Sequence, residues 1–159
     1  MTVFQANYNS ALGHIQLTAS EIGLQSLCFV DEEVNSANSN SILEESIRQL
    51  DAYFKRELKS FNIPLDHKGT EFQLKVWNKL LDISFGKTMT YVELAMQVAT
   101  NKHTRAVGLA NGANPVNIII PCHRVIGRNG KLRGYGGGID KKEWLLDFES
   151  ESRQLSLFE

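Results

Sequence analysis

Up to residue 30 the chain alternates apolar and polar side chains in three short runs, TVFQANY (2–8), HIQLTA (14–19) and LQSLCFV (24–30). A period of two suits strands and cannot supply the apolar stripe of a helix. The runs are broken at Leu12-Gly13 and Ile22-Gly23, which makes them a small antiparallel sheet. Cys28 falls inside the third run, between Leu27 and Phe29, and reads as core. After the polar loop DEEVNSANSN (31–40) the period changes. SILEESIRQLDAYFKREL puts Ile42, Ile47, Leu50, Tyr53, Phe54 and Leu58 near one face, predicting a helix over 41–58 with Ser41 and Glu44 as a capping box. One apolar face of the sheet needs a cover, and this helix supplies it.

SFNIPLDHKGT (60–70 with Ser60 at its head) carries proline and glycine and marks a boundary, so the expected units are 1–66, 67–150 and a short tail, 151–159. Beyond the boundary the signals are helical. Thr70–Gln73 and Thr90–Glu93 fit the T-x-x-E/Q capping pattern and place helix starts at 70 and 90. Phe72, Val76, Trp77, Leu80 and Leu81 form the inner stripe of the first helix; Tyr91, Leu94, Ala95 and Val98 form that of the second. After a turn at 100–103, TRAVGLANGA reads as a third helix with a small-residue face beside Arg105, a helix-turn-helix-like arrangement. Small residues let a backbone approach a groove, and equally let helices pack closely. Asn129-Gly130 marks a tight turn, GYGGG (134–138) a loop, and Asp140 caps a last helix, KKEWLLDFE. The glycines lack the spacing of a nucleotide fingerprint.

Charge sharpens this division. Residues 67–142 carry twelve basic and four acidic side chains, a net of +8, although the whole chain is at -1. A basic segment of that size has the electrostatics of a polyanion binder or of a solvated face. No apolar run approaches the roughly 20 residues of a membrane span, and no signal-peptide core precedes the first strand, so a cytoplasmic protein is expected. Two cysteines, 28 and 122, make neither a disulfide framework nor a paired-cysteine metal site.

Cys122 sits in NIIIPCHRVIG (117–127). Pro121 lacks an amide proton and disfavours helix at Ile120, so the apolar run must end and the chain must turn at the cysteine. His123 and Arg124 bring positive charge, which lowers a thiol's pKa and supplies a proton acceptor. Asn114 offers an amide to fix the turn. Adjacent side chains do not face each other, so thiol and imidazole would communicate through a water, and a carboxylate is needed behind the ring.

IPCHRV (120–125), GTEFQLKVWNKLLDISFGKTMTYVELA (69–95), RAVGLANGANPVN (105–117), GYGGG and KKEWLLDFE together resemble the O6-alkylguanine-DNA alkyltransferases, also called methylated-DNA–protein-cysteine methyltransferases. The resemblance is dense from 69 to 149. It implies an α+β fold: a ribonuclease H-like N-terminal sheet with a covering helix, and a mostly helical, winged-helix-like DNA-binding domain. It implies DNA repair by single-turnover transfer from O6-alkylguanine, and from O4-alkylthymine, after base flipping, by a monomer acting on double-stranded DNA without a cofactor. Carried over by position, Cys122 is the alkyl acceptor, His123 the water-linked base, Glu149 the carboxylate behind it, Asn114 the turn-fixing residue and Tyr91 a donor to the purine ring. Arg105 takes the place of the evicted base, and Thr104, Ala106, Ala110 and Gly112 meet the minor groove. Tyr135, Gly136 and Val125 line the pocket; some members carry serine where this chain has Gly136. Other members bind zinc through an N-terminal Cys/His set, but Cys28 and His14 do not make one, so no metal is expected.

Two rivals are weighed against this. Alkyltransferase-like binders of alkylated DNA replace the cysteine that is present here, and a Cys-His hydrolase would have no use for a base-flipping helix. Outside the resemblance, Gln154-Leu155-Ser156-Leu157-Phe158 resembles the QL[S/D]LF pentapeptide by which many bacterial repair and replication proteins dock on the sliding clamp. That likeness points to a bacterial source and a clamp partner.

Overall fold

The three alternating runs pair as one antiparallel sheet, β1 (Phe4–Ser10), β2 (Gly13–Ala19) and β3 (Leu24–Phe29), in that order. The computed structural model describes residues 3–34 and 38–150; Thr2 of the first expected strand, part of the 31–40 loop and the 151–159 tail with its pentapeptide lie outside the described residues. Ser10 pairs with Gly13 across a two-residue turn, and Gly13 takes φ 112°, a value that glycine adopts freely. Ile15, Leu17, Leu24 and Leu27 are fully buried, as are Leu43, Leu50 and Tyr53 of the covering helix α1 (Ser41–Phe54). Each such side chain contributes about 1.5–3 kcal/mol of burial. Cys28 is half-buried, with its thiol 3.9 Å from the Pro115 carbonyl.

Both ends of α1 differ from the sequence expectation. The cap is Asn40, whose Oδ1 accepts from the Leu43 amide at 3.0 Å, in place of a Ser41–Glu44 box. The helix stops at Phe54 because Arg56 turns to φ 65°, with Arg56 N donating to Tyr53 O (3.1 Å) and Glu57 N to Ala52 O (2.8 Å). That is the usual glycine-type C-terminal motif built on an arginine, so no glycine announced it. A later segment completes this unit: Pro115–Ile119 groups with the chain up to Lys68. Leu27 N donates to Pro115 O (2.9 Å) and Asn117 N to Leu27 O (3.0 Å), which occupies the edge of β3.

Among the described residues the other unit holds Gly69–Asn114 and 120–150. Its first helix, α2 (Glu71–Leu80), begins in a complete capping box: Thr70 Oγ1 accepts from Gln73 N at 3.1 Å and Gln73 Oε1 from Thr70 N at 2.9 Å. Gly69 is required by a close approach, since a Cβ there would lie 2.4 Å from Trp77 Cζ3. Val76, Trp77 and Leu80 are buried as expected, but Leu81 caps the helix end and is 45% exposed. Next come β4 (Met89–Thr90) and α3 (Tyr91–Val98), then a 3-10 turn at Asn101–His103 and α4 (Thr104–Gly112). The strand β5 (Val125–Ile126) pairs in parallel with β4, Met89 opposite Val125. Asn129 and Gly130 take φ 62° and 76°, the tight turn their sequence announces. The last helix, α5 (Ile139–Glu149), starts from Gly138 at φ 103° with no side-chain cap; Asp140 lies in its first turn and does not cap it. Among the described residues no helix is long and apolar enough to cross a membrane.

Candidate functional site

Pro121 has φ -81° and ψ 64°, and Cys122 N donates to Ile120 O at 2.8 Å, which closes an inverse γ-turn. The chain then enters a 3-10 turn, Cys122–Arg124. Two asparagines at the end of α4 fix this path. Asn114 Nδ2 donates to Ile120 O at 2.7 Å and Asn111 Nδ2 to Cys122 O at 3.2 Å. The predicted role of Asn114 in shaping the turn matches this geometry; Asn111 was not expected. The cysteine is 3% exposed.

Burial pushes the Cys122 thiol up to about 11, against the pull of the Asn114 amide and the Lys142 charge. The resting sulfur is therefore a protonated thiol, and a base must remove its proton for nucleophilic chemistry. Arg124 does not act on the sulfur as its place in the sequence suggests. Its guanidinium is turned to Glu149, donating from Nε to Oε1 (2.8 Å) and from Nη2 to Oε2 (3.0 Å), and its Nη1 donates to Ile83 O (2.6 Å).

His123 is fully buried, with Nε2 2.9 Å from Glu149 Oε2. Its Nδ1 is buried and makes no hydrogen bond to the described residues. Burial holds the His123 pKa below its ordinary value, opposed by Glu149. Burial alone would raise Glu149, but the charge and hydrogen bond of His123 and those of Arg124 together bring it down to about 2. With His123 neutral, the standing counter-charge to this carboxylate is Arg124. The arrangement supplies a neutral imidazole with one nitrogen engaged and one bare, next in sequence to the thiol.

Tyr91 is brought to the same place by local structure. The box at Thr90, with Thr90 Oγ1 accepting from Glu93 N at 3.1 Å and Glu93 Oε1 from Thr90 N at 3.0 Å, makes Tyr91 the first residue of α3. The β4–β5 ladder ties that start to the residues after the cysteine. Lys142, fully buried on α5, donates from Nζ to the Tyr91 hydroxyl (3.2 Å) and to Arg133 O (2.8 Å). Because the ammonium donates to the phenol oxygen, the phenol proton must point elsewhere, and Tyr91 becomes a directed donor. Desolvation lowers Lys142 to about 8, with the Cys122 charge opposing. Desolvation also raises Tyr91 above its ordinary value, with Cys122 contributing in the same direction.

An open cleft of about 700 Å³ lies over Tyr91, Arg105, Gly108, Gly112, Arg128 and Arg133, and among the described residues no carboxylate lines it. That volume lies within the range of ligand-binding clefts. Arg105 and Ala106 are exposed, as is Gly112, and Thr104 is half-exposed. Ala110 is not available there: it is 4% exposed on the inner face with Val107 and Asn111, and its carbonyl accepts from Trp77 Nε1 at 2.7 Å. The helical repeat puts Leu109, 70% exposed, on the outer face in its stead. Val125 is buried in β5, Tyr135 is half-buried and Gly136 is exposed. The structure thus gathers Cys122, His123, Glu149, Asn114 and Tyr91, and adds Lys142, Asn111 and Arg124.

Residues 71–151 match the family model described as 6-O-methylguanine DNA methyltransferase, DNA binding domain, and residues 3–67 the one described as 6-O-methylguanine DNA methyltransferase, ribonuclease-like domain. The methylated-DNA–protein-cysteine methyltransferase of Methanosarcina acetivorans is 47% identical over 153 residues, 92% of this chain and 98% of that protein. The Mycobacterium leprae protein of the same name is 45% identical over 154 residues, 94% of this chain and 93% of its own. The solved Mycobacterium tuberculosis O6-methylguanine methyltransferase superposes with a TM-score of 0.86 at 41% identity, covering 99% of this chain and 100% of that one. The Mycobacterium tuberculosis OGT solved in complex with DNA gives 0.83 at 41% identity, covering 98% and 99%.

Proposed function

Since the chain belongs to the methylated-DNA–protein-cysteine methyltransferase family, we propose that it repairs DNA by moving the alkyl group from O6 of guanine, and from O4 of thymine, onto its own Cys122. The observation that carries this reading is the buried sequence Cys122–His123 backed by Glu149 at 2.9 Å. In this reading residues 67–150 form the alkyltransferase unit and 1–66 a structural one, save that Pro115–Ile119 belongs with the latter. The protein acts as a cytoplasmic monomer on double-stranded DNA, without cofactor or metal. The three arginines of the cleft attract phosphate; Arg105 fills the gap left by the flipped base, with Thr104, Ala106 and Gly112 along the groove. In the same reading Tyr135 and Gly136, which are not among the residues lining the cleft, border the pocket that takes the base, and Val125, fully buried in β5, supports it from beneath.

The transfer balances as one displacement. The Cys122 proton passes through a water to His123 Nδ1, the thiolate sulfur bonds to the alkyl carbon, and the carbon–O6 bond breaks with its electron pair going to the guanine. Tyr91 donates toward the ring nitrogen as that negative charge develops. The thioether has no easy return, so each molecule acts once. A duplex with labelled O6-methylguanine is expected to transfer one label per protein to the Cys122 peptide. Label released as methanol points to a hydrolase. Tight binding without any label on the peptide points to an alkyltransferase-like binder.

The pentapeptide Gln154–Phe158 supports a partner as well: its leucine and phenylalanine suit an apolar pocket on a bacterial sliding clamp, with the glutamine bonding at the rim. Purified clamp is expected to bind the whole chain and to lose most of that affinity for a chain ending at Arg153. Equal binding by both, or by neither, removes the clamp from the reading.

A further inference from the structure

Arg124 and Glu149 are far apart in sequence, yet the two side chains and the His123 ring make one buried cluster. Glu149 Oε2 accepts from two donors, His123 Nε2 at 2.9 Å and Arg124 Nη2 at 3.0 Å, while Oε1 accepts from Arg124 Nε at 2.8 Å. The guanidinium is itself held by Ile83 O at 2.6 Å and lies 5.9 Å from the centre of the Phe85 ring. A bidentate pair of this kind fixes both orientation and charge, and an arginine keeps its charge at any pH the fold survives.

We propose that Arg124 is a positioning residue for the transfer: by neutralising Glu149 it makes the carboxylate a hydrogen-bond acceptor without making it a proton trap, so that His123 keeps its single proton on Nε2 and presents a bare Nδ1 to the thiol's proton.

The alternative arrangement shows why the arginine matters. A buried carboxylate with no fixed counter-charge would draw a second proton onto His123 to form an ion pair. Imidazolium has no acceptor nitrogen, and the base would be lost. With Arg124 in place the carboxylate and guanidinium cancel. A further proton on His123 would then be an uncompensated buried charge. The groups that act on the ring electrostatically are Glu149, which favours its charge, and Arg124 and Lys142, which oppose it; burial opposes it most. His123 Nδ1, buried and with no hydrogen bond to the described residues, is the acceptor this arrangement leaves.

The inference rests on the proposed transfer to Cys122 for its purpose, but its test does not. In the unreacted full chain, nitrogen-15 histidine spectra between pH 6 and 8 are expected to show His123 as the neutral Nε2–H tautomer throughout. A cationic ring, or a proton on Nδ1, would overturn the inference even if transfer proceeds. For Arg124→Gln the acid limb of the transfer rate is expected to move up by about one pH unit or more, with the His123 titration moving alongside it. Arg124→Lys, which keeps the charge and loses the fork, is expected to hold both within about half a unit of wild type. A uniform drop in rate with an unshifted limb would mean that Arg124 merely supports the fold. If Arg124→Gln does not fold, the wild-type spectra and the lysine variant still decide. Failure of the wild type to label Cys122, by contrast, removes the transfer and leaves the histidine measurement standing.

Discussion

Cys122→Ser is expected to abolish the proposed alkyl transfer, a loss of more than about ten-thousandfold, while affinity for an alkylated duplex is expected to stay within a few-fold of wild type. A serine hydroxyl has far too high a pKa for the neutral imidazole of His123 to ionise, and oxygen is a weaker nucleophile than sulfur. The proposed DNA contacts come from the cleft, whose lining does not include Cys122, so binding survives. Mass spectrometry of the Cys122 peptide after incubation with alkylated duplex reads the first effect, and a titration with the same duplex reads the second. Any alkylated serine, at wild-type stoichiometry, would remove the thiol from the mechanism. The variant also changes stability at alkaline pH. The buried thiol stands at about 11, above the roughly 8.5 of an exposed cysteine. The raised native value means the folded state holds the proton longer, so its contribution is full below the unfolded pKa and is lost as pH rises toward 11. Lys142, lowered to about 8, runs the other way: its burial penalty is relieved as pH rises above that value. The lysine is present in both proteins, so the difference between them reports the thiol together with its coupling to Lys142. Denaturant unfolding at pH 7 and pH 10 should show wild type losing about 1–2 kcal/mol relative to Cys122→Ser.

What the sequence disclosed of this site followed from how local each signal is. Thr70 and Thr90 cap as expected because both partners of a capping box lie within four residues. Asn114 was legible because its target, Ile120 O, belongs to a turn that Pro121 enforces six residues away. The end of α1 was not, because Arg56 takes a left-handed conformation whose usual marker is glycine. Ala110 misleads because small size reads as the mark of a groove-facing side, while the helical repeat decides which face is inside and leaves Leu109 on the outer one. Lys142 sits in a lysine pair at the start of a helix, the pattern of a solvated end. Only the placement of Tyr91 and Arg133 around it shows the ammonium to be buried and used. Arg124 misleads for a related reason. Its neighbour in sequence is the cysteine region, but its neighbour in space is a carboxylate 25 residues on, and no period or cap connects the two.

Glu149→Ala is expected to unfold more readily than wild type by about 3–5 kcal/mol, a large part of the 5–15 kcal/mol that holds a domain together. The carboxylate accepts from His123 and twice from Arg124 inside a closed site. Removing it leaves a buried guanidinium whose one remaining hydrogen-bond acceptor among the described residues is the Ile83 carbonyl, and a buried ring nitrogen that has lost its carboxylate. Glu149→Gln separates charge from volume: it fills the same space and offers one acceptor oxygen, so it is expected to lie between alanine and wild type. The pH dependence carries the same information with a definite sign. Glu149 stands at about 2 in the folded protein, below the roughly 4.3 of a free glutamate. A lowered native value means its contribution is present above the unfolded pKa and is lost as pH falls from there through about 2. Both variants should therefore lose less stability than wild type on acidification across that window. Alkyl transfer at neutral pH should fall by about a hundredfold or more in Glu149→Gln, measured well below its denaturation midpoint so that folded protein is compared with folded protein. If Glu149→Ala costs less than about 1 kcal/mol and keeps the wild-type acid slope, the cluster is not ionised as its geometry requires. In that case neither the orientation of His123 nor the role given to Arg124 stands, because both depend on a charged carboxylate between them.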